Sequence, residues 1–161
     1  MIEIITGDLL EAKEKYIIHQ TNCLSNKGAA GIAGALFDKY PYADCYLDRA
    51  EPSKPGTIDI RGNGADKRYI INLHGQVYPG GIRYPLSDLD GQAARRKYFY
   101  NGLLRVAQIP NLESIALNWR IGCGIAGGDW LYYLGTINLF EKYVNEKQNA
   151  KVIIYKRACE E

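Results

Sequence analysis

Three features of this 161-residue sequence predict a layered α/β fold built on a mixed sheet. Strand-length apolar runs alternate with segments of helical period. One pair of runs is separated by a turn too short to hold a helix, which makes those two strands antiparallel neighbours. Two further runs each lead through a glycine-rich loop into a helix. With 47% hydrophobic residues the chain sustains one well-packed core and is too short for two, so residues 1–161 are read as a single domain.

The elements follow in order. Residues 2–5 are the first strand run, and Tyr16, Ile17 and Ile18 the second. After a polar stretch ending in Thr21-Asn22, the small residues Gly28, Ala29, Ala30 and Gly31 form a loop, and residues 32–40 read as a helix. Residues 57–61 and 69–73 are strands joined across Gly62-Asn63-Gly64-Ala65-Asp66, whose residue types suit a turn. His74 precedes the Gly-, Pro- and Tyr-rich residues 75–87, a long surface loop near the site. Residues 90–107 show a helical stripe of Ala93, Tyr100, Leu103, Leu104 and Ala107, broken only by Gly91 and Gly102. Within it, Arg95-Arg96-Lys97 reads as a solvated face. Residues 114–117 are a strand. Asp129 is placed to cap a helix carrying Trp130, Tyr133, Leu134, Ile137, Phe140 and Val144, and residues 152–155 form the last strand.

Composition narrows the function. The charge of +2, from 20 basic against 18 acidic residues, gives no strong field and no default affinity for nucleic acid. No apolar run approaches the ~18 residues of a membrane helix, and the first ten residues lack a basic leader. A soluble, cytoplasmic protein is expected. Cys23, Cys45, Cys123 and Cys159 are scattered, with no CxxC pair and no histidine at zinc-finger spacing, so neither a metal site nor a disulfide framework is indicated, and no cofactor is called for.

The informative pattern is strand, small-residue loop, helix. A helix N-terminus offers unpaired N–H groups and the positive end of its dipole, and glycines let a ligand approach bare backbone. Residues 28–33 supply one such loop. Gly122-Cys123-Gly124-Ile125-Ala126-Gly127-Gly128 supplies another before Asp129. Two loops at neighbouring strand ends suit the two phosphates of a diphosphate. Neither GxGxxG nor GxxxxGK[ST] occurs, which disfavours the ordinary dinucleotide and P-loop sites.

With Thr6-Gly7-Asp8-Leu9, the stretch 17–22 followed by 28–33, and the loop 121–128, the chain resembles the macrodomain family of ADP-ribose binders over nearly its whole length. The resemblance implies a three-layer α/β/α fold with a mixed central sheet. It also implies a monomer whose partner is a small molecule, ADP-ribose or a derivative. Under it, Asp8 accepts from the adenine amino group with Leu9 beside it, Asn22 lies near the distal ribose, and Tyr155 stands near adenine. Gly28, Ala30, Gly31, Ile32 and Ala33 form one loop around the diphosphate and that ribose. Gly122, Cys123, Gly124, Ile125, Ala126 and Gly127 form the other. Gly31-Ile32-Ala33 and Ile121-Gly122-Cys123-Gly124 are similar to the branch containing ADP-ribose-1″-phosphate phosphatases and terminal ADP-ribose glycohydrolases. Ala33 stands where another hydrolase branch has an aspartate, and His74-Gly75 and Ile125-Ala126 where the glycohydrolases have Lys and Asp.

Hydrolysis of ADP-ribose-1″-phosphate, the activity the resemblance favours, needs a base or nucleophile and donors for the departing charge. His19, three residues before Asn22 as in the phosphatase branch, is the candidate base, and Asp129 its acid/base partner. Each has a second reading, His19 as a hydrogen-bonded structural group and Asp129 as a helix N-cap. Cys123 reads as small and neutral, Asp8 also as an N-cap, and Tyr155 also as a packed strand residue. The alternatives to a phosphatase are a noncatalytic reader of ADP-ribose and a hydrolase that removes it from protein or nucleic acid.

Overall fold

The computed structural model describes residues 2–160. Among them are strands β1 (Glu3–Thr6), β2 (Tyr16–Asn22), β3 (Ile58–Arg61), β4 (Tyr69–Gln76), β5 (Ser114–Asn118) and β6 (Lys151–Lys156). The helices are α1 (Gly31–Lys39), α2 (Gln92–Ala107) and α3 (Trp130–Gln148). The strands form one sheet in the order β1-β6-β5-β2-β4-β3, parallel throughout except for β3, which runs antiparallel to β4. The sheet is mixed, as the short turn after residue 61 predicts.

Alternation along the strands sorts side chains into two cores. Ile17, Ile70 and Ala116 meet Leu36 and Phe37 of α1 on one face. Ile18, Ile71, Leu73, Ile115, Leu117 and Ile154 meet α2 and α3 on the other, chiefly Phe99, Leu103 and Val106 with Tyr133, Ile137, Phe140 and Val144. These are the three layers. From β2 the chain passes by way of α1 to the β4 side of the sheet, and from β5 by way of α3 to the β6 side. The loops leaving these adjacent parallel strands therefore diverge and open a crevice at their carboxyl ends.

Two predicted strands are longer than the apolar runs that announce them. β2 continues through His19, Gln20, Thr21 and Asn22, and β4 through His74 to Gln76. The register explains why polar residues persist in a buried strand. His19 lies opposite Asn72 and Thr21 opposite His74, so each pair hydrogen-bonds across the ladder, at 2.5 Å from His19 Nε2 to Asn72 Oδ1 and 2.7 Å from Thr21 Oγ1 to His74 Nδ1. Thr57, read from sequence as part of β3, lies just outside it.

Helix α2 is turned by about one residue from its predicted face. Ala93, Tyr100 and Leu104 are exposed, while Ala94, Phe99, Leu103, Val106 and Ala107 are buried. Gly102 lies on the buried face, and an added Cβ there would lie 2.5 Å from Leu73 Cγ. Its missing side chain lets α2 press directly on β4. Arg95 also departs from expectation. It is not solvated but 1% exposed, its guanidinium paired to Asp90 at 2.7 Å. Among the described residues, no helix is long and apolar enough to cross a membrane.

Candidate functional site

The crevice is a cleft of about 810 Å³ at the carboxyl ends of β2, β4 and β5, bounded by residues 28–33 on one side and 118–126 on the other. Such a volume falls within the range that holds an organic ligand.

The first wall is the loop before α1. Ala30 is the N-cap, and no side chain caps the helix. The first backbone bond of α1 is Gly34 N–H to Ala30 O at 3.2 Å, which leaves the N–H groups of Gly31, Ile32 and Ala33 without helical acceptors. Gly28 and Gly31 have φ of 68° and 58°, and a Cβ on either would meet nothing within 4 Å, so the backbone faces open space. The glycine at 31 thus satisfies both the left-handed conformation and the bare approach.

The second wall is held more tightly. Gly122 (φ 75°) would place a Cβ 2.6 Å from the Tyr133 ring, so its lack of a side chain serves packing under the loop. Gly124 has open space, and Cys123 is buried beneath it. Burial pushes the Cys123 thiol up to about 12, which keeps it neutral. Arg120, with φ 61°, lies in the lining and donates to Cys123 O at 3.4 Å.

Behind the loops, two arginines act as braces. Arg49 donates to Asn22 O at 2.9 Å and Ser25 O at 2.8 Å, fixing the exit from β2. Asn22 folds that exit locally, its Oδ1 accepting from Leu24 and Ser25 N–H while its Nδ2 donates to Ser25 Oγ and Tyr46 OH. Burial raises the Tyr46 hydroxyl to about 12, so it stays protonated. Arg95 Nη1 bridges Gly80 O at 2.9 Å and Ala126 O at 3.0 Å, while Nη2 reaches Tyr78 O, Gly81 O and Asp90. It ties the loop after β4 to the second glycine loop and so fixes that rim of the cleft.

Of the expected ligand residues, the structure gathers Asn22, Gly28, Ala30, Gly31, Ile32, Ala33, Gly122, Cys123, Gly124, Ile125 and Ala126 in the lining. Four lie outside it. Asp8 is exposed after β1, its Oδ1 accepting from Leu10 N–H at 2.9 Å. Leu9 is buried in the α1 core. Tyr155 bonds Glu14 Oε1 through its hydroxyl at 2.5 Å and packs on Gly7. Gly127 turns the loop behind Gly124, with its N–H on Gly124 O.

Neither proposed catalytic side chain reaches the cleft. His19 is 1% exposed and points into the α1 layer, its ring edge-on to Phe37 at 5.3 Å. Burial lowers it to about 4 despite the Asn72 bond, so the imidazole is neutral near pH 7 and held by its hydrogen bond away from the cleft. Asp129 caps α3, accepting from Leu131 N–H at 3.1 Å, and is absent from the lining. His74, which precedes the long loop in the sequence, lies within β4. Sequence reasoning missed Gln20, Gln76, Tyr46, Arg120, Arg157 and Glu160. The one sequence signal was a run of amides and hydroxyls continuing an otherwise apolar central strand.

No family model and no curated protein matches the sequence. Solved structures do match. The chain is similar to the macrodomain of Mycobacterium tuberculosis DarG, at 23% identity over 96% of this chain and 97% of that one, with a TM-score of 0.71. The macrodomain of Thermus aquaticus DarG matches at 23% identity over 96% and 97%, with a TM-score of 0.66. The fold is that of a macrodomain. A third match is the Trypanosoma brucei macrodomain in complex with ADP-ribose, at 18% identity over 96% of this chain and 63% of that one, with a TM-score of 0.67. At these identities the macrodomain architecture is what is shared, and the chemistry of the cleft has to be argued from its own residues.

Proposed function

We propose that this macrodomain-fold protein binds ADP-ribose, or a group ending in it, with the diphosphate between residues 28–33 and 122–126. The observation that carries the reading is the uncapped N-terminus of α1 facing a second glycine loop across one cleft. Backbone amides and the helix dipole there favour a phosphate without a lysine. The adenosine end is assigned toward Arg157 and the adjoining Asp8, which follow neighbouring strands β6 and β1. The complex of a similarly folded protein with ADP-ribose supports the choice of ligand.

The reading is that of a binder rather than a phosphatase, because hydrolysis of ADP-ribose-1″-phosphate rested on His19 and Asp129. The test is calorimetric titration with ADP-ribose, followed by a phosphate assay on the 1″-phosphate with the same sample. Saturable binding without phosphate release is expected. Absence of binding overturns the proposal, and turnover would return the protein to the hydrolases with a base still to be found.

A further inference from the structure

Among the described residues that line the cleft, Glu160 is the one acid. An ionised carboxylate only accepts hydrogen bonds, so it has no use toward a diphosphate and suits a part of the ligand that donates them. We propose that Glu160 selects the base of the ligand, accepting from the 6-amino group of adenine in the place that the family resemblance gives to Asp8. The proposal rests on the ADP-ribose reading and adds to it the residue that chooses the base.

The place of Glu160 in the lining points to the base. The lining follows the strand order, from the tail after β6, through residues 118–126 after β5, to residues 28–33 after β2. Glu160 stands at the β6 end of this row, beyond Arg157. With the diphosphate between the two glycine loops, the adenosine ribose lies next to it, and the base, as the terminal group, extends farthest toward the tail. The polar atoms on the edge of adenine are acceptors except for the 6-amino group, which donates. A carboxylate at the end of the cleft is therefore matched to that one group.

Glu160 is also held in one orientation. Its Oε1 accepts from Arg157 N–H at 3.0 Å and from Arg157 Nε at 3.4 Å, while its own N–H donates to Arg157 O at 3.0 Å, so residues 157–160 close into a turn. Oε2 has no protein partner among the described residues and is not sealed from solvent, which leaves it open to a ligand donor. The paired guanidinium of Arg157 offsets the charge that Glu160 presents to the phosphates. Asp8 differs on each count. It is exposed, lies outside the lining, and uses Oδ1 to cap the turn at Leu10 N–H.

Calorimetry on the whole chain tests this by comparing ADP-ribose with its analogue whose purine lacks the 6-amino group. The wild type is expected to bind ADP-ribose at least about tenfold more tightly than the analogue, the usual loss when a hydrogen bond to a charged group goes unmade. Glu160→Ala, with a melting curve to show that it folds, brings that ratio to within about twofold, because neither ligand then meets the carboxylate. Should it not fold, Glu160→Gln is read in its place, since it keeps an acceptor for Arg157 N–H and puts a donor where Oε2 stood. Asp8→Asn, which retains the cap, is the competing variant. A wild-type ratio below about twofold, equal losses for both ligands in Glu160→Ala as a ribose contact gives, or a ratio that collapses in Asp8→Asn and survives in Glu160→Ala each overturn the proposal. In all three the wild type still binds ADP-ribose. Absence of that binding instead overturns the ADP-ribose reading itself, and the choice of base falls with it.

Discussion

Replacing Arg95 by methionine separates the buried brace from the solvated helix face that the Arg95-Arg96-Lys97 run suggests. In the fold, Arg95 makes two hydrogen bonds to Asp90 and donates to the carbonyls of Tyr78, Gly80, Gly81 and Ala126, with its side chain 2% exposed. Methionine fills much of the space but leaves the Asp90 carboxylate buried with only the N–H groups of Val77 and Tyr78. Removing one member of a buried ion pair costs about 3–5 kcal/mol, whereas an exposed pair is worth about 0–1 kcal/mol. Taking about 4 kcal/mol and a urea slope of about 2 kcal/mol per molar, the midpoint falls by about 2 M at unchanged slope. Urea unfolding followed by tryptophan fluorescence measures this, and calorimetry on the folded fraction measures ADP-ribose affinity, which falls as Gly80 and Ala126 lose their shared anchor. A midpoint within about 0.5 M of wild type, the shift an exposed pair gives, would refute the brace.

Gly31→Glu places a carboxylate against the uncapped start of α1 at a position of positive φ with open space around it. Stability falls by about 1–2 kcal/mol from the left-handed backbone, while ADP-ribose affinity falls at least about tenfold; unchanged affinity by calorimetry removes the first loop from the site. Gly102→Ala brings a methyl 2.5 Å from Leu73 Cγ, so despite better helix propensity it destabilises by about 1–2 kcal/mol in urea, and a stabilised variant would show that α2 can withdraw from β4. His19 and His74 are both held near 4 in the fold against an ordinary value of 6.5. Below 6.5 the unfolded chain takes up protons that the native one refuses, so their stabilisation is complete above that pH and fades as pH falls toward 4, by about 2 kcal/mol per histidine at pH 5. Equal urea midpoints at pH 7 and pH 5 in His19→Gln and wild type alike would contradict this for His19.

How much of this was legible in sequence depended on whether the signal was local. Strand–loop–helix order, the antiparallel turn after residue 61 and the Asp129 cap are written in adjacent residues, and each is found where local rules put it. The glycine loops are legible for the same reason, and they account for most of the lining that was anticipated. What failed was pairwise. His19 reads equally as a catalytic or a structural imidazole until β4 places Asn72 directly opposite it. Arg95 reads as a surface charge until the loop after β4 brings three carbonyls around it and the second glycine loop a fourth. Neither partner can be inferred from the periodicity around the residue itself.

The polar half of β2 shows what this pairing accomplishes. Ile17 and Ile18 hold the strand by burial on both faces, but a strand that ends at a ligand cleft cannot remain apolar to its tip, because its last residues must also hold loops. On the α1 side, His19 and Thr21 each find a partner on β4, which rigidifies the ladder without charge. On the opposite side, Gln20 donates to Gln76, which in turn holds Tyr78 O and Gly80 O. Asn22 closes the series by folding residues 24 and 25 back on its own side chain. The buried amides and hydroxyls thus carry the rigidity of the sheet outward into the glycine loops, so those loops can remain bare backbone and still face the cleft in a fixed geometry.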